Sequence, residues 1–232
     1  LDLHNYCRRF MNNEHTLIGN NELTIEDLAS FWQAIAKEFS TFKNIYGYGL
    51  MNEPHDLAPE TKWFDMAQAS INAIREVDTN TLIMVGGNDW SSAERWIEQS
   101  DTLKFLKDPA NNLAFEAHVY FDKDASGTYK YSYEEEECYP EKGIDRVKPF
   151  VEWIKQNKFH GFIGEYGIPD NDPRWNETLD LFLGYLQENG INGTYWAAGP
   201  WWDTYFMAIT PKDGKDRPQM PIIEKYTSTL KK

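Results

Sequence analysis

The chain alternates short apolar runs with longer stretches in which apolar residues recur every three or four positions. Leu28, Phe31, Trp32, Ile35 and Phe39 share one helical face, and Thr24-Ile25-Glu26-Asp27 ahead of them reads as an N-cap with an acidic first turn. The same periodicity predicts helices over Trp63–Val77, Arg95–Lys107, Ile144–Asn157, Thr178–Asn189 and Ile222–Leu230. The apolar runs between them predict strands over Ile45–Asn52, Thr81–Gly87, Leu113–Tyr120, Gly161–Tyr166 and Ile191–Ala197, with Leu1–Tyr6 as the end of a further strand. In Leu113–Tyr120, Leu113, Phe115, Ala117 and Val119 fall on one face, and Glu116, His118 and Tyr120 on the other.

Regular strand–helix alternation predicts a parallel sheet covered by helices. An open doubly wound sheet and a (β/α)8 barrel both fit, but the glycine-rich phosphate loop usual in the first is missing. Polar residues also gather at one recurring place, the C-terminal strand ends: His4-Asn5, Asn52-Glu53, Asn88, His118 to Tyr120, Glu165 and Trp196. In a (β/α)8 TIM barrel these ends converge on one face, where active sites are built. The expectation is therefore an α/β barrel, with residues 1–232 forming a single domain.

Composition narrows the function. The 232 residues carry 37 Asp and Glu against 23 Lys and Arg, a net charge of −14. That balance disfavours nucleic acid and anionic membrane surfaces, which need clustered cations. No apolar run approaches the roughly 18 residues of a membrane span. The aromatic count is unusual, with 9 Trp, 13 Tyr and 13 Phe; some fill the core, and an excess of Trp beside polar loop residues suits stacking on the C–H faces of sugars. Two cysteines, Cys7 and Cys138, are too few for a disulfide scaffold or a four-thiolate zinc site, and a bridge between them is not expected.

Glu53 and Glu165 are the central pair. Each ends a short apolar strand, where a carboxylate projects into a cleft. Two carboxylates flanking one bond cleave a glycoside when one donates a proton to the leaving oxygen and the other attacks the anomeric carbon or activates water. His118 and Tyr120 point the same way; a Tyr hydroxyl can hold a carboxylate nucleophile, and a His can bind sugar hydroxyls. Trp196, followed by Ala197, Ala198 and Gly199, leaves room for a ring to lie against it, and Trp90 is a second candidate platform.

Five motifs in order, Asp2-Leu3-His4-Asn5-Tyr6, Asn52-Glu53-Pro54, His118-Val119-Tyr120, Gly164-Glu165-Tyr166-Gly167 and Tyr195-Trp196-Ala197-Ala198-Gly199-Pro200-Trp201-Trp202, make the sequence resemble glycoside hydrolase family 5, the cellulase family, and within it the endo-β-1,4-glucanase branch. The resemblance implies retaining double displacement with Glu53 as acid/base and Glu165 as nucleophile. It implies that Asn52 binds the 2-hydroxyl of the sugar at the cleavage site and that Tyr120 partners the nucleophile. His4, with Asn5 beside it, and His118 are implied as active-site residues, Trp196 as the stacking tryptophan, and Trp90 and Trp202 as aromatics along the cleft. It implies no metal and no cofactor, and a β-1,4-linked polysaccharide or oligosaccharide as partner; since polysaccharides do not enter cells, an extracellular, secreted enzyme is expected, and a monomer. Leu1–Tyr6 matches the family's third strand, so strands three to eight are expected here, and six strands do not close an eight-stranded barrel.

Rival readings keep the same residues. The two glutamates serve equally in a β-1,4-mannanase, xylanase or xyloglucanase, and a non-catalytic sugar-binding remnant is the reading from another class. Asp122-Lys123-Asp124-Ala125-Ser126-Gly127 begins like a calcium loop, but its twelfth position is Tyr133 rather than Glu, so it reads as a plain loop. Glu134–Glu137 reads as a solvated charge run. Asn176-Glu177-Thr178 and Asn192-Gly193-Thr194 fit the glycosylation pattern, the second at a strand expected to be buried.

Overall fold

The computed structural model describes residues 1–227. The elements in chain order are β1 (Arg8–Met11), β2 (Glu14–Leu17), α1 (Ile25–Phe39), β3 (Gly47–Gly49), α2 (Trp63–Arg75), β4 (Leu82–Gly86), the turn-like α3 (Asn88–Ser91) and α4 (Trp96–Ser100). β5 (Leu113–Tyr120), α5 (Lys142–Asn157), β6 (His160–Gly167), α6 (Arg174–Glu188), β7 (Asn192–Tyr195) and α7 (Met220–Tyr226) follow. The chain divides into two compact units, Leu1–Ala117 with Trp153–Gly161, and His118–Glu152 with the chain from Phe162 onward.

In the first unit β3, β4 and β5 pair in parallel and in sequence order, Gly47 opposite Leu82 and Ile83 opposite Leu113. Asp2 forms a parallel bridge to Gly49 on the outer side of β3. α1 begins at the expected place: Thr24 Oγ1 accepts from Asp27 N at 3.1 Å and Asp27 Oδ2 accepts from Thr24 N at 2.8 Å, the reciprocal pair of a capping box. Its buried face packs on α2. Two helix tryptophans satisfy their indole N–H groups on strand carbonyls, Trp32 on Leu50 O at 3.1 Å and Trp63 on Gly86 O at 2.7 Å. Trp96, Phe115 and Trp153 meet edge to face in the core, and Trp153 donates to Asp101 Oδ1 at 2.8 Å. Arg75, itself buried, donates through Nε and Nη2 to Asp108 and through Nη1 to the carbonyls of Asp78 and Thr81.

In the second unit β6 and β7 pair in parallel, and α6 lays Trp175, Leu179, Phe182 and Leu186 into the core. β5 and β6 each begin in the first unit and end in the second. Asn192 and Thr194 of β7 are exposed, where the sequence reads a buried strand, and Asn192-Gly193-Thr194 lies on that exposed edge. Gly167 cannot carry a side chain, because a Cβ there would stand 2.4 Å from Trp196 O.

One element goes unread and two readings need correction. Arg8–Leu17 has no strand signal in its charged sequence, yet it forms an antiparallel hairpin, turned by Asn12 and Asn13 at φ 50° and 67°. The Arg95–Lys107 helix is α4 followed by a 3-10 turn over Asp101–Phe105. Of the Glu134–Glu137 run, Glu136 is buried rather than solvated, because its carboxylate accepts from Lys123 N at 2.8 Å and Tyr131 N at 2.9 Å. The last helix is described to Tyr226, and the end of the Ile222–Leu230 reading lies outside the described residues. Among the described residues no helix is long and apolar enough to cross a membrane.

Candidate active site

The first unit builds a polar row at its strand ends. His4 Nδ1–H donates to Asp2 Oδ2 at 3.2 Å, which fixes the ring with Nε2 as acceptor. Tyr6 OH and Asn52 Nδ2 reach that Nε2 at 3.2 and 3.3 Å. Asn52 is buried, so its amide is set by this bond rather than by water. Glu53 follows in the left-handed region at φ 47°, a conformation that costs a non-glycine residue of order 1–3 kcal/mol and that clusters at functional sites. His55 Nδ1–H donates back to Glu53 O at 2.8 Å, and Arg8 holds His55 O at 3.1 Å.

Trp90 belongs to the same group. Asp89, Trp90 and Ser91 are three successive left-handed residues, and Trp90 N donates to Pro54 O at 3.4 Å. Its ring stacks on His55 with centroids 4.4 Å apart and planes 13° apart, while the ring itself remains substantially exposed. Asp89 pairs with Arg95 beneath the turn. An open cavity of about 350 Å³ lies here, with Pro54, His55, Lys62, Asn88 and Asp89 in its wall. Asn5 is placed differently from the others: its Oδ1 is buried without a hydrogen-bond partner among the described residues.

The second unit holds the other carboxylate. Glu165 lies near the end of β6, buried, with its Oε2 accepting from Tyr120 OH at 2.7 Å. His118 Nδ1 stands 3.5 Å from the same oxygen. His118 and Tyr120 alternate on one face of β5, as the period of two requires. Trp196 meets Trp202 edge to face at 4.9 Å, and Trp202 meets Tyr205 at 5.0 Å. Burial pushes the Tyr205 hydroxyl above its ordinary pKa, so it remains a neutral donor. Trp201, between them in sequence, is 89% exposed.

The structure thus groups His4 with Asn52, Trp90 with the Glu53 segment, His118 and Tyr120 with Glu165, and Trp196 with Trp202. Sequence reading missed Asp2, Tyr6 and His55 as site-building residues. Asp2 and His4 are two apart on an extended segment, the spacing that puts both on one face, and that signal was available. The calcium-like loop is closed by protein: the Asp122 carboxylate accepts from Ser126 Oγ and from the backbone N–H groups of Gly127, Thr128 and Tyr129.

Comparison with known proteins gives the family and the fold. The model of the cellulase family, glycosyl hydrolase family 5, matches residues 1–201. Endo-beta-1,4-glucanase B of Emericella nidulans is 36% identical over 193 residues, covering 81% of this chain and 56% of that protein. The chain thus spans little more than half the length of that curated relative. The Pseudomonas stutzeri endoglucanase Cel5A in complex with cellobiose superposes with a TM-score of 0.88 at 43% identity, over 97% of this chain and 66% of that one. XacCel5A in complex with cellopentaose gives 0.85 at 38%, over 98% and 72%. The fold is accordingly that of part of a (β/α)8 barrel.

Proposed function

Because the chain belongs to the cellulase family, glycosyl hydrolase family 5, we propose that it carries the catalytic residues of a retaining endo-β-1,4-glucanase. The observation that supports this most directly is the buried Glu165 carboxylate, held by Tyr120 at 2.7 Å with His118 alongside. A carboxylate held by a hydroxyl donor is aimed, as a nucleophile must be.

In the first step Glu165 attacks the anomeric carbon. The bond to the leaving oxygen breaks, and Glu53 gives that oxygen its proton. A glycosyl ester on Glu165 results. Glu53, now a carboxylate, takes a proton from water as the water attacks the same carbon, and Glu165 leaves with its charge restored. Two inversions leave the configuration retained. Asn52, its amide set by His4, binds the 2-hydroxyl, where hydrogen bonds strengthen in the transition state. Trp196, Trp202 and the exposed face of Trp90 stack on sugar rings, and His4, Asn5 and His118 complete the polar wall. No metal or cofactor enters any step.

Cellulose and soluble β-1,4-glucans are the proposed substrates. The related structures were solved with cellobiose and cellopentaose, and the net charge of −14 suits a neutral polymer. Since such polymers stay outside cells, the enzyme is proposed to be secreted, acting as a monomer. The test is reducing-sugar release from carboxymethyl-cellulose, mannan and xylan in parallel. Release chiefly from the cellulose supports the glucanase reading. Release chiefly from mannan or xylan moves the substrate to that backbone, and silence on all three with folding intact favours a binding role.

A further inference from the structure

The loop after β5 does more than connect. Asp122 is fully buried and knots the loop: its Oδ1 accepts from Gly127 N at 3.1 Å, and its Oδ2 from Ser126 Oγ, Thr128 N and Tyr129 N at 3.0, 3.0 and 3.2 Å. The knot places two residues. Gly127, at φ +71°, lies flat against the Tyr120 ring, where an added Cβ would stand 3.0 Å from two ring carbons. Tyr129 turns inward, packing edge to face on Trp175 at 5.0 Å, and its hydroxyl bridges two strand ends. It accepts from Phe121 N at 2.9 Å and donates to Gly167 O at 2.6 Å. Phe121 adjoins Tyr120, and Gly167 lies two residues beyond Glu165. Arg146 fastens the same segment from outside, donating to the carbonyls of Tyr120 and Lys123.

We propose that the Asp122–Tyr129 loop is a positioning clamp, in which Tyr129 and Gly127 hold the Tyr120 hydroxyl in register with the Glu165 carboxylate. Burial raises the Tyr129 hydroxyl well above its ordinary pKa, so its one proton stays committed to Gly167 O. The bridge runs between backbone atoms of the two segments that carry the pair, so losing it changes their spacing directly. A displacement of about 1 Å at a reacting centre can cost about 100-fold in rate. Tyr129 bonds to the backbone of Phe121 and Gly167 and acts through Tyr120, so it is a positioning residue. The proposal rests on the reading of Glu165 as nucleophile.

The test compares Tyr129→Phe, Tyr120→Phe and the double variant in the full chain. On an aryl β-cellobioside, Tyr129→Phe is expected to lower kcat about 10- to 100-fold with KM within about twofold. In the Tyr120→Phe background the same change is expected to lower kcat by less than about threefold. An equal effect in both backgrounds, or an unchanged kcat in the folded variant, overturns the clamp. A readout independent of turnover is the carboxyl 13C resonance of Glu165 in 13C-glutamate-labelled protein. It should move in the same direction in Tyr129→Phe as in Tyr120→Phe, and an unmoved resonance overturns the proposal. Failure of the nucleophile reading looks different: a 2-deoxy-2-fluoro cellobioside would leave wild-type Glu165 unlabelled, whatever the resonance does. Where Tyr129→Phe does not fold, Asp122→Asn carries the same comparisons. Loss of folding in both overturns the proposal in favour of a purely structural loop.

Discussion

Tyr120 and Glu165 lie 45 residues apart in sequence, and the tyrosine hydroxyl donates to Oε2 of the carboxylate across 2.7 Å in a buried setting. A hydroxyl bond to a carboxylate is among the stronger kinds when the acceptor is ionised, and here it orients the group. Tyr120→Phe removes this bond and keeps the ring. It is expected to lower kcat about 10- to 100-fold with little change in KM, whereas Glu165→Ala is expected to abolish nearly all turnover while sugar binding persists. Steady-state kinetics on soluble cellulose, with oligosaccharide binding followed by calorimetry, checks both.

Glu53→Gln tests the acid/base role separately. Its effect should depend on the leaving group. Polysaccharide turnover is expected to fall by about 100-fold or more, while an activated aryl cellobioside, which leaves without a proton, keeps its first step. A burst of released phenol followed by slow steady-state release would mark the accumulating intermediate. Equal losses on both substrates would remove Glu53 from the acid role.

Asp2 touches His4 and not the sugar in the proposed scheme, so Asp2→Ala should act on rate through ring orientation. The expected loss in kcat/KM is of order tenfold, with thermal stability nearly unchanged because the pair is largely exposed. Measuring kcat/KM beside a melting curve separates this from general destabilisation.

Arg75 and Asp108 predict a stability effect remote from the site. Both side chains are almost fully buried, at 3% and 2% exposure. Removing one partner, as in Asp108→Asn, leaves a buried guanidinium uncompensated, and a loss of about 3–5 kcal/mol is expected by urea unfolding. Burial alone would raise the Asp108 carboxyl, but the Arg75 guanidinium and the N–H groups of Asn112 and Ala110 hold it below its usual range. The group is thus depressed on folding. Its stabilisation is full above the unfolded carboxyl value of about 3.9 and is lost as the pH falls through the folded one. Wild-type stability should therefore decline more steeply below about pH 4 than that of Asp108→Asn.

Both cysteines are free. Burial pushes the Cys7 thiol up to about 12, and burial raises Cys138 as well. Alkylation at pH 8 should leave Cys7 unmodified in the folded protein and reach two thiols per chain only after unfolding. Mass spectrometry after iodoacetamide, with and without denaturant, checks this.

The fold was legible where one signal dominated. Leu113–Tyr120 shows strict alternation and is the strand found, and Thr24 with Asp27 announces α1. What escaped was set by contacts distant in sequence or by turn chemistry. The charged Arg8–Leu17 segment pairs only with itself, and its signal was Asn12-Asn13, two residues that tolerate positive φ. Glu136 looks like its solvated neighbours, and only the backbone donors of Lys123 and Tyr131 bury it. Of the proposed site residues, Glu53, Glu165, His118 and Tyr120 were readable as strand-end polar residues. His55 was not, because its stacking on Trp90 depends on three left-handed residues that no local pattern demands.

The row from Asp2 through His4 to Asn52 has a direction. Asp2 accepts, so His4 presents a proton to it and a lone pair to Asn52. Asn52 must therefore turn one N–H of its amide toward His4, which leaves its carbonyl oxygen and its second N–H for other partners. A second proton on His4 would reverse the sense of that row: Nε2 would become a donor, and the amide would have to turn round, offering N–H where it had offered oxygen. One proton on a partly exposed imidazole thus decides which end of the buried Asn52 amide faces His4.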